Sequence, residues 1–177
     1  MSASQEKAKG LVQVYTGEGK GKTTVALGLA LRAVGQGMKV IVIQFIKGAP
    51  SCGEHLFVHK HHPFEIICLN EGDSSKQTAA ELRPVTEKTL ALAGETLQKG
   101  EYDVVILDEI FIALSKGLIT TPQVLALINK KPPRVELVLT GRGAPKEVIE
   151  RADLVTEMVA VKHPFTKGIR ARRGIEY

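Results

Sequence analysis

The segment from Thr16 to Thr24 (TGEGKGKTT) brings alternating glycines together with lysines and threonines. In the phosphate-loop pattern, a glycine is followed by four residues and then by Gly-Lys-Ser/Thr. Gly21, Lys22 and Thr23 match the end of that pattern, and Thr16 stands at its first position. Backbone N–H groups converge on phosphate oxygens only where side chains stay clear, so the segment predicts a phosphate site. Its candidate binding residues are Gly17, Glu18, Gly19, Lys20, Gly21, Lys22, Thr23 and Thr24.

Two side chains of this segment have distinct roles in such a loop. We expect the ammonium group of Lys22 to face solvent and to contact the phosphates, which makes it a candidate catalytic group. The hydroxyl of Thr23 is expected to bind Mg²⁺. The alternative is a glycine-rich turn with lysines at the surface. The context favours the phosphate site, because a strand candidate precedes the segment and a helix candidate follows it.

Charged residues also follow two other strand candidates. Asp108 and Glu109 come after the apolar run 104–107, where carboxylates are placed to hold Mg²⁺ directly or through water. We therefore assign Thr23, Asp108 and Glu109 to a metal site, with Glu109 also a candidate catalytic group; the alternative is that the acids cap a helix. Arg142 lies between two glycines and suits a phosphate contact, or is a solvated arginine in a turn.

Short apolar runs alternate with longer amphipathic stretches along the whole chain. Strand candidates are Leu11–Tyr15, Lys39–Phe45, Phe64–Leu69, Tyr102–Leu107, Val135–Leu139 and Leu154–Met158. Helix candidates are Thr23–Val34, Thr78–Lys99, Ile110–Ser115, Pro122–Asn129 and Pro145–Arg151. The alternation predicts an α/β fold with a mainly parallel sheet and helices on both faces, although it does not give the strand order.

Residues 47–63 contain glycine, proline and four histidines, which predicts a long surface loop. The histidines are His55, His59, His61 and His62. We expect them to be solvated, because no set of cysteines or carboxylates completes a metal site at a familiar spacing. The two cysteines of the chain are expected to be ordinary thiols.

Length and composition fit a single domain over residues 1–177. The segment 16–24 and the α/β pattern make this domain one of the phosphate-loop NTPase type. The chain is 44% hydrophobic and 24% charged, which excludes a disordered protein. No apolar run approaches the roughly 18 residues that span a bilayer, and the polar start lacks the pattern of a secretory signal. A reduced, cytoplasmic enzyme without membrane contact is expected.

The formal net charge of +5 is concentrated near the C-terminus. Residues 162–177 contain five basic residues and one acid, Glu176, for a net charge of +4. We therefore predict an extended basic C-terminal tail. Such a segment favours an anionic partner, and its alternative is a solvated, flexible terminus.

These segments together resemble the ATP:corrinoid adenosyltransferases of the phosphate-loop type, over nearly the whole chain. Threonine at position 16 is itself a habit of that family. The matching segments are 16–24, 32–35, 44–48, 53–54, 105–109, 140–143, 152–153, 161–165 and 167–177.

The resemblance implies that Co(I) of a corrinoid, either cobalamin or cobyrinic acid diamide, attacks the 5′-carbon of ATP and that inorganic triphosphate leaves. It also implies Mg²⁺ or Mn²⁺, an electron donor such as a reduced flavoprotein, and a homodimer. Lys22, Glu109 and Arg142 would act in catalysis, and Arg32 would join the nucleotide-binding residues.

The chain departs from the family after the third strand. Members of the family place aromatic residues there, often including a tryptophan, which help to displace the lower cobalt ligand so that Co(II) is easier to reduce. This chain has no tryptophan, and residues 70–75 contain no aromatic residue. Phe57 and Phe64 are the remaining candidates, and both the displacement step and the natural corrinoid stay open.

Two other classes of function are compatible with a phosphate loop. An ATP-hydrolysing module that acts on a protein partner would release phosphate, and not triphosphate. A nucleic-acid-binding ATPase is favoured slightly by the basic tail. Three tyrosines, five phenylalanines and no tryptophan leave few side chains to stack on bases, so nucleic acid is the less favoured partner.

Overall fold

A computed structural model describes residues 9–46 and 52–177 of the protein. The strands are β1 (Val12–Thr16), β2 (Val40–Gln44), β3 (Glu65–Cys68), β4 (Val104–Asp108), β5 (Glu136–Thr140) and β6 (Leu154–Glu157). The helices are α1 (Lys22–Gly35), α2 (Gly53–His61), α3 (Ala79–Lys99), α4 (Ile110–Ser115), α5 (Thr121–Lys130) and α6 (Lys146–Arg151), followed by a 3₁₀ turn (Pro164–Lys167).

The six strands pair in one parallel sheet in the order β3-β2-β4-β5-β1-β6. The predicted parallel α/β arrangement is confirmed, and the structure adds the strand order. Parallel strands all end at the same edge of a sheet, so the loops that follow them meet there. Because β4 pairs with both β2 and β5, residues at the ends of these three strands are direct neighbours.

Helices cover both faces of the sheet, as predicted. In β4, Val104 and Ile106 pack with the small alanines of α1 on one face. Val105 and Leu107 point to the other face, where they pack in the core formed with α3, α4, α5 and α6. By the same alternation, Asp108 falls on the α1 face at the carboxyl end of the strand.

Capping residues mark both ends of the long helix α3. The hydroxyl of Thr78 accepts a hydrogen bond from the backbone N–H of Glu81 (3.3 Å), and the Glu81 carboxylate accepts one from the Thr78 N–H (2.8 Å). This reciprocal capping box satisfies two donors that the first turn leaves without partners. Gly100 ends the helix in the left-handed conformation, with φ 62°.

Part of the predicted surface loop over 47–63 is a helix, so that prediction is wrong for α2. Residues 47–51 lie outside the described part of the chain. Glu54 lies in the first turn of α2 and the last turn is basic, an arrangement that the helix dipole favours. Val58 is the buried residue of the helix, and histidines in place of further apolar residues hide the helical period in the sequence.

Strand β6 forms an edge of the sheet, and all four of its residues are exposed. The chain that follows it has only the 3₁₀ turn as regular structure and is almost entirely exposed. Across residues 9–46 and 52–177, no helix combines the length and apolar character that a bilayer crossing requires.

Candidate functional site

The phosphate-loop segment forms one wall of an open cleft of ≈ 510 Å³ at the carboxyl edge of the sheet. The cleft brings together candidates from three separate loops: Lys22 and Thr23 after β1, Glu109 after β4, and Arg142 after β5. Its other lining residues are Gly19, Lys20, Gly21, Thr24, Leu27, Gly53, Glu54, His163, Gly174, Ile175, Glu176 and Tyr177.

Lys22 lies deeper than the sequence suggests. Its side chain was expected to face solvent, but the residue is only 7% exposed. The ammonium group donates hydrogen bonds to the carbonyl oxygens of Gly17 (2.6 Å) and Gly19 (2.7 Å). Burial lowers the pKa of Lys22, and the charge of Arg142 lowers it further. The lysine is therefore held by its own loop at the floor of the cleft.

The glycines of the loop are required by the chain that lies behind it. A Cβ atom on Gly17 would lie 2.5 Å from the carbonyl oxygen of Met158, and one on Gly19 would lie 2.7 Å from the same atom. The N–H of Gly19 donates to that oxygen over 2.6 Å. The segment after β6 thus fixes the loop from the side opposite the cleft.

Asp108 is the centre of a buried network of hydrogen bonds. Its Oδ1 accepts from the hydroxyls of Thr23 (3.0 Å) and Thr140 (2.6 Å), and its Oδ2 accepts from the amide of Gln44 (2.9 Å). Because Asp108 and Gln44 are fully buried, Asp108 lies behind Thr23 instead of lining the cleft. It is thus placed to act on a bound ion through Thr23 or through water.

Gln44, Thr140 and His55 are members of this network that sequence reasoning missed. Gln44 and Thr140 lie in the family-matching segments 44–48 and 140–143, but the sequence indicates no role for them. A polar residue that ends a buried apolar strand was the available signal. For His55, the expectation of a solvated loop histidine is wrong, because its Nε2 lies 2.5 Å from Oε1 of Gln44.

Glu109 lies at the mouth of the network and lines the cleft. It precedes α4 in the left-handed conformation, with φ 59°, which is unusual for a residue other than glycine. Its N–H donates to the Thr140 hydroxyl over 3.0 Å. Strained backbone of this kind concentrates at functional sites, and here it turns the chain directly after Asp108.

Arg142 and Glu18 form an ion pair across the cleft rim, with 3.2 Å between Arg142 Nη1 and a Glu18 carboxylate oxygen. Both side chains are exposed, so the pair contributes little to stability. Arg142 lines the cleft, whereas Glu18 is not among its lining residues. The exposed guanidinium can therefore exchange this carboxylate for a phosphate group.

Arg32 lies apart from the other candidates. It is in the last turn of α1, ten residues after Lys22 and therefore about 15 Å along the helix axis. Burial and Glu136 raise the pKa of Tyr15, and the charge of Arg32 opposes them. The charge of Arg32 thus acts on Tyr15 of β1, and Arg32 is not among the described residues that line the cleft.

The C-terminal tail returns to the phosphate loop and does so through its single acid. The Lys20 ammonium group lies 2.9 Å from the Glu176 carboxylate and donates to the Ile175 carbonyl over 3.2 Å. Arg172 also binds Glu176, at 3.0 Å. Hydrogen bonds from Arg172 and then from Lys20 lower the pKa of Glu176 to about 2. The tail therefore contacts the loop through Glu176, and not through the basic residues that dominate its charge.

Oxygen atoms suited to a hard divalent cation are present at the base of the cleft. The Thr23 hydroxyl donates its proton to Asp108, so its lone pairs remain for a cation, and Glu109 adds a carboxylate nearby. Hydroxyl and carboxylate oxygens are ligands that Mg²⁺ and Mn²⁺ prefer, so these residues fit such an ion. In the described ranges, no group of three or more His, Cys, Asp or Glu side chains could hold a metal, so an ion here would take its other oxygen ligands from phosphate or water.

The two phenylalanines considered as substitutes for the missing aromatic residues differ in exposure. Phe57 is half exposed on α2, with its ring centroid 4.8 Å from that of His61. Phe64 packs against the core beneath α1. Phe57 is therefore the more accessible ring, whereas Phe64 is held in the sheet layer.

A glycine-rich loop between the first strand and first helix of a parallel sheet, opposed by an acid on a neighbouring strand, defines a phosphate-loop nucleotide-binding protein. This chain is of that class. The model of the ATP:corrinoid adenosyltransferase family (BtuR/CobO/CobP) matches residues 8–177, so the chain belongs to this family, whose reaction is ATP-dependent adenosylation of a corrinoid.

Curated relatives agree with this assignment. The chain is 41% identical to a corrinoid adenosyltransferase of Sinorhizobium sp, covering 99% of this chain and 84% of the relative. It is 40% identical to the enzyme of that name from Pseudomonas aeruginosa, covering 99% and 87%, and 35% identical to that of Escherichia coli K12, covering 99% and 89%. A solved DNA replication initiation factor is only distantly similar, with 13% identity, a TM-score of 0.42 and coverage of 85% and 40%.

Proposed function

We propose that the cleft binds ATP with its triphosphate along the phosphate loop and presents the 5′-carbon to a Co(I) corrinoid. In the family reaction, cobalt supplies the electron pair for a new Co–C bond. The C5′–O bond breaks, and its electrons leave on triphosphate. Negative charge therefore grows on the triphosphate in the transition state, and stabilising that charge is the task that falls to the protein.

The position of Lys22 is the observation that supports this proposal most directly. Within residues 9–46 and 52–177, its ammonium group is bound only to the carbonyls of its own loop, and phosphate oxygens can take their place. Backbone N–H groups at the start of α1 and the Arg142 guanidinium provide further donors. Thr24, Lys20 and Glu18 are proposed to complete the nucleotide contacts, and Arg32 stays a prediction without a contact to the cleft.

We propose that Thr23 and Glu109 hold Mg²⁺ or Mn²⁺, with Asp108 acting through Thr23 or through water. When bound, the ion would supply positive charge to the departing triphosphate. The protein residues hold oxygen atoms toward the cleft and keep the Thr23 proton turned away from the ion. The buried hydrogen bonds of Asp108 support this role, because they fix the hydroxyl before any ligand arrives.

The remaining proposals concern partners. An external donor such as a reduced flavoprotein is proposed to deliver the electron that makes Co(I), and a cytoplasmic location fits such a donor. A homodimer is proposed on the basis of the exposed apolar residues near the sheet edge. Leu154 and Val155 on β6, and Val159 beyond it, are at least 40% exposed and would be covered by a second subunit.

The test mixes the protein with chemically reduced corrinoid, ATP and Mg²⁺ under anaerobic conditions. The expected products are a light-sensitive organocobalt compound and free triphosphate in equal amounts. Parallel reactions with Mn²⁺ and with a chelator measure the metal requirement. Release of inorganic phosphate without a Co–C bond would instead indicate an ATP-hydrolysing module and would overturn the proposal.

A further inference from the structure

A line of side-chain hydrogen bonds connects helix α2 to the proposed metal site. Nε2 of His55 lies 2.5 Å from Oε1 of Gln44, and Nε2 of Gln44 lies 2.9 Å from Oδ2 of Asp108. Gln44 ends β2 and pairs in register with Asp108 at the end of β4. Both of these residues are fully buried, so water does not compete for the contacts between them.

The chemistry of the three groups fixes the direction of each hydrogen bond. An ionised Asp108 only accepts hydrogen bonds, so the amide nitrogen of Gln44 must face it. The carbonyl oxygen of Gln44 then faces His55 and can only accept. His55 must therefore donate from Nε2, which assigns the proton to that nitrogen when the ring is neutral.

The other oxygen of Asp108 receives the hydroxyl proton of Thr23. If the Gln44 amide rotated by half a turn, two oxygens would face each other and Asp108 would lose a buried donor. The carboxylate would then be free to turn, and the Thr23 hydroxyl would lose its fixed direction. The hydrogen bond from His55 opposes that rotation, because it holds the carbonyl end of the amide.

We infer that His55 is a positioning residue, which acts through Gln44 and Asp108 to fix the Thr23 hydroxyl for a divalent cation in the nucleotide complex. The inference rests on the proposed metal site. Helix α2 also carries Gly53 and Glu54 to the wall of the cleft. The same helix therefore lines the substrate cleft and sets the orientation of the group that holds the ion.

The first test measures the Kd of Mn²⁺ for the ATP-bound full-length protein by electron paramagnetic resonance. Loss of a direct partner of a metal ligand typically costs about 10–100-fold in affinity, and His55 acts through two further residues. His55→Leu should therefore raise this Kd by roughly tenfold or less, and by more than about twofold. His55→Gln keeps an N–H donor at a similar reach and should restore most of the affinity. His59→Leu, an exposed histidine one turn further along α2, is the matched control and should leave the Kd unchanged.

A double-mutant cycle distinguishes an effect of His55 that passes through Gln44 from two independent effects of these residues. Gln44→Leu should weaken Mn²⁺ binding at least as much as His55→Leu does. Adding His55→Leu to the Gln44→Leu protein should then change the Kd by less than about twofold, because no amide is left to orient. Additive effects, or an unchanged Kd in His55→Leu, would overturn the inference.

A spectroscopic measurement on the wild-type protein tests the inference even if the Gln44 variant does not fold. In the wild-type protein, ¹⁵N spectra of the histidines should show His55 with its proton on Nε2, the signal being assigned by its loss in His55→Leu. A proton on Nδ1 alone would refute the inference, because Nε2 could then not donate to Gln44. If the corrinoid assay fails but the His55 and Gln44 variants still change the Kd of Mn²⁺ non-additively, the proposed reaction is rejected and this inference stands. If the protein is active but the two variants show no such coupling, this inference is rejected and the proposed reaction stands.

Discussion

Two regions at the cleft are built in opposite ways. On one side, Asp108 is fully buried and accepts three side-chain hydrogen bonds at the ends of adjacent strands. On the other side, the tail residues that line the cleft are exposed, and Glu176 reaches the loop through Lys20. The buried side is organised before a ligand binds, whereas exposed ion pairs hold the tail and water and salt compete with them.

This difference separates two tasks of the cleft. Preorganised groups are effective where charge develops during a reaction, because they need no reorganisation at that moment. A weakly held segment suits the side through which a large substrate must enter and its product must leave. We therefore expect variants on the buried side to change catalysis or stability strongly and variants in the tail to have small effects.

The largest effect is expected for Lys22→Ala. The change removes a buried ammonium group from the floor of the cleft, and loss of such a charge-stabilising donor typically costs about 10²–10³ in rate. The measurement is kcat/KM for formation of the organocobalt product. Lys20→Ala is the matched control, since Lys20 belongs to the same loop but pairs with the tail, and it should cost about tenfold or less. Equal losses in the two variants would remove the contrast between the two sides.

A pair of glycine substitutions tests the same contrast through stability. Gly141 follows β5 at φ 135°, and an added Cβ would lie 2.8 Å from Cβ of Phe111. Gly141→Ala should therefore lower the free energy of unfolding by about 2–4 kcal/mol, through strain and overpacking.

Gly174 in the tail provides the control for that measurement. It also has a positive φ, 77°, but an added Cβ would meet nothing within 4 Å. The strain of the positive φ then falls on the tail, which we expect to unfold independently of the core, so Gly174→Ala should leave the free energy of global unfolding in urea nearly unchanged. A large loss in Gly174→Ala would mean that the tail is part of the cooperative fold, which the comparison denies.

A smaller effect should separate the two acids of the proposed metal site. In Asp108→Asn, the amide NH₂ must face another donor, either a hydroxyl or the Gln44 amide. The unfolding free energy should then fall by about 1–3 kcal/mol. Glu109→Gln should leave stability nearly unchanged and shift the Mg²⁺ dependence of kcat/KM to higher concentration. If Glu109→Gln destabilises the protein and leaves the metal dependence intact, the assignment of Glu109 is wrong.

The sequence predicted most of the fold because the strands are short and mostly apolar and the long helices are amphipathic. It predicted a phosphate loop between β1 and α1, because alternating glycines before Lys22 keep side chains clear of the backbone N–H groups. It missed α2, where histidines interrupt the apolar period. The Gln44–Asp108 contact joins residues 64 positions apart, and only the pairing of β2 with β4 brings them together.

The tail shows a different limit of sequence reasoning. Its net positive charge predicts contacts from lysines and arginines to an anion, which stays a prediction, whereas the contacts to the loop are made by Glu176 and the Ile175 carbonyl. Composition averages over a segment, whereas docking depends on which side chain lies opposite Lys20. Only the turn at the end of the chain, in which the Glu176 N–H donates to the Arg172 carbonyl over 2.9 Å, places that carboxylate.

The smallest effect concerns the docking of the tail and is best seen in a titration. Hydrogen bonds from Arg172 and Lys20 lower the pKa of Glu176 from 4.5 to about 2. A carboxyl whose pKa is lower in the folded state stabilises that state above its unfolded pKa, and the contribution is lost as the pH falls through its folded pKa. Docking should thus be complete above about 4.5 and disappear toward about 2.

The midpoint can be read from the side-chain ¹³C signal of Glu176, with selective labelling. Arg172→Gln should move it most of the way back toward 4.5, and Lys20→Gln should move it less, because Arg172 is the stronger influence. Raising the salt concentration should also raise the midpoint, since exposed charges are screened. Arg173→Gln removes a neighbouring tail charge and should change nothing. A wild-type midpoint near 4.5 would show that the tail is not docked in solution, and the cleft would then be open on that side.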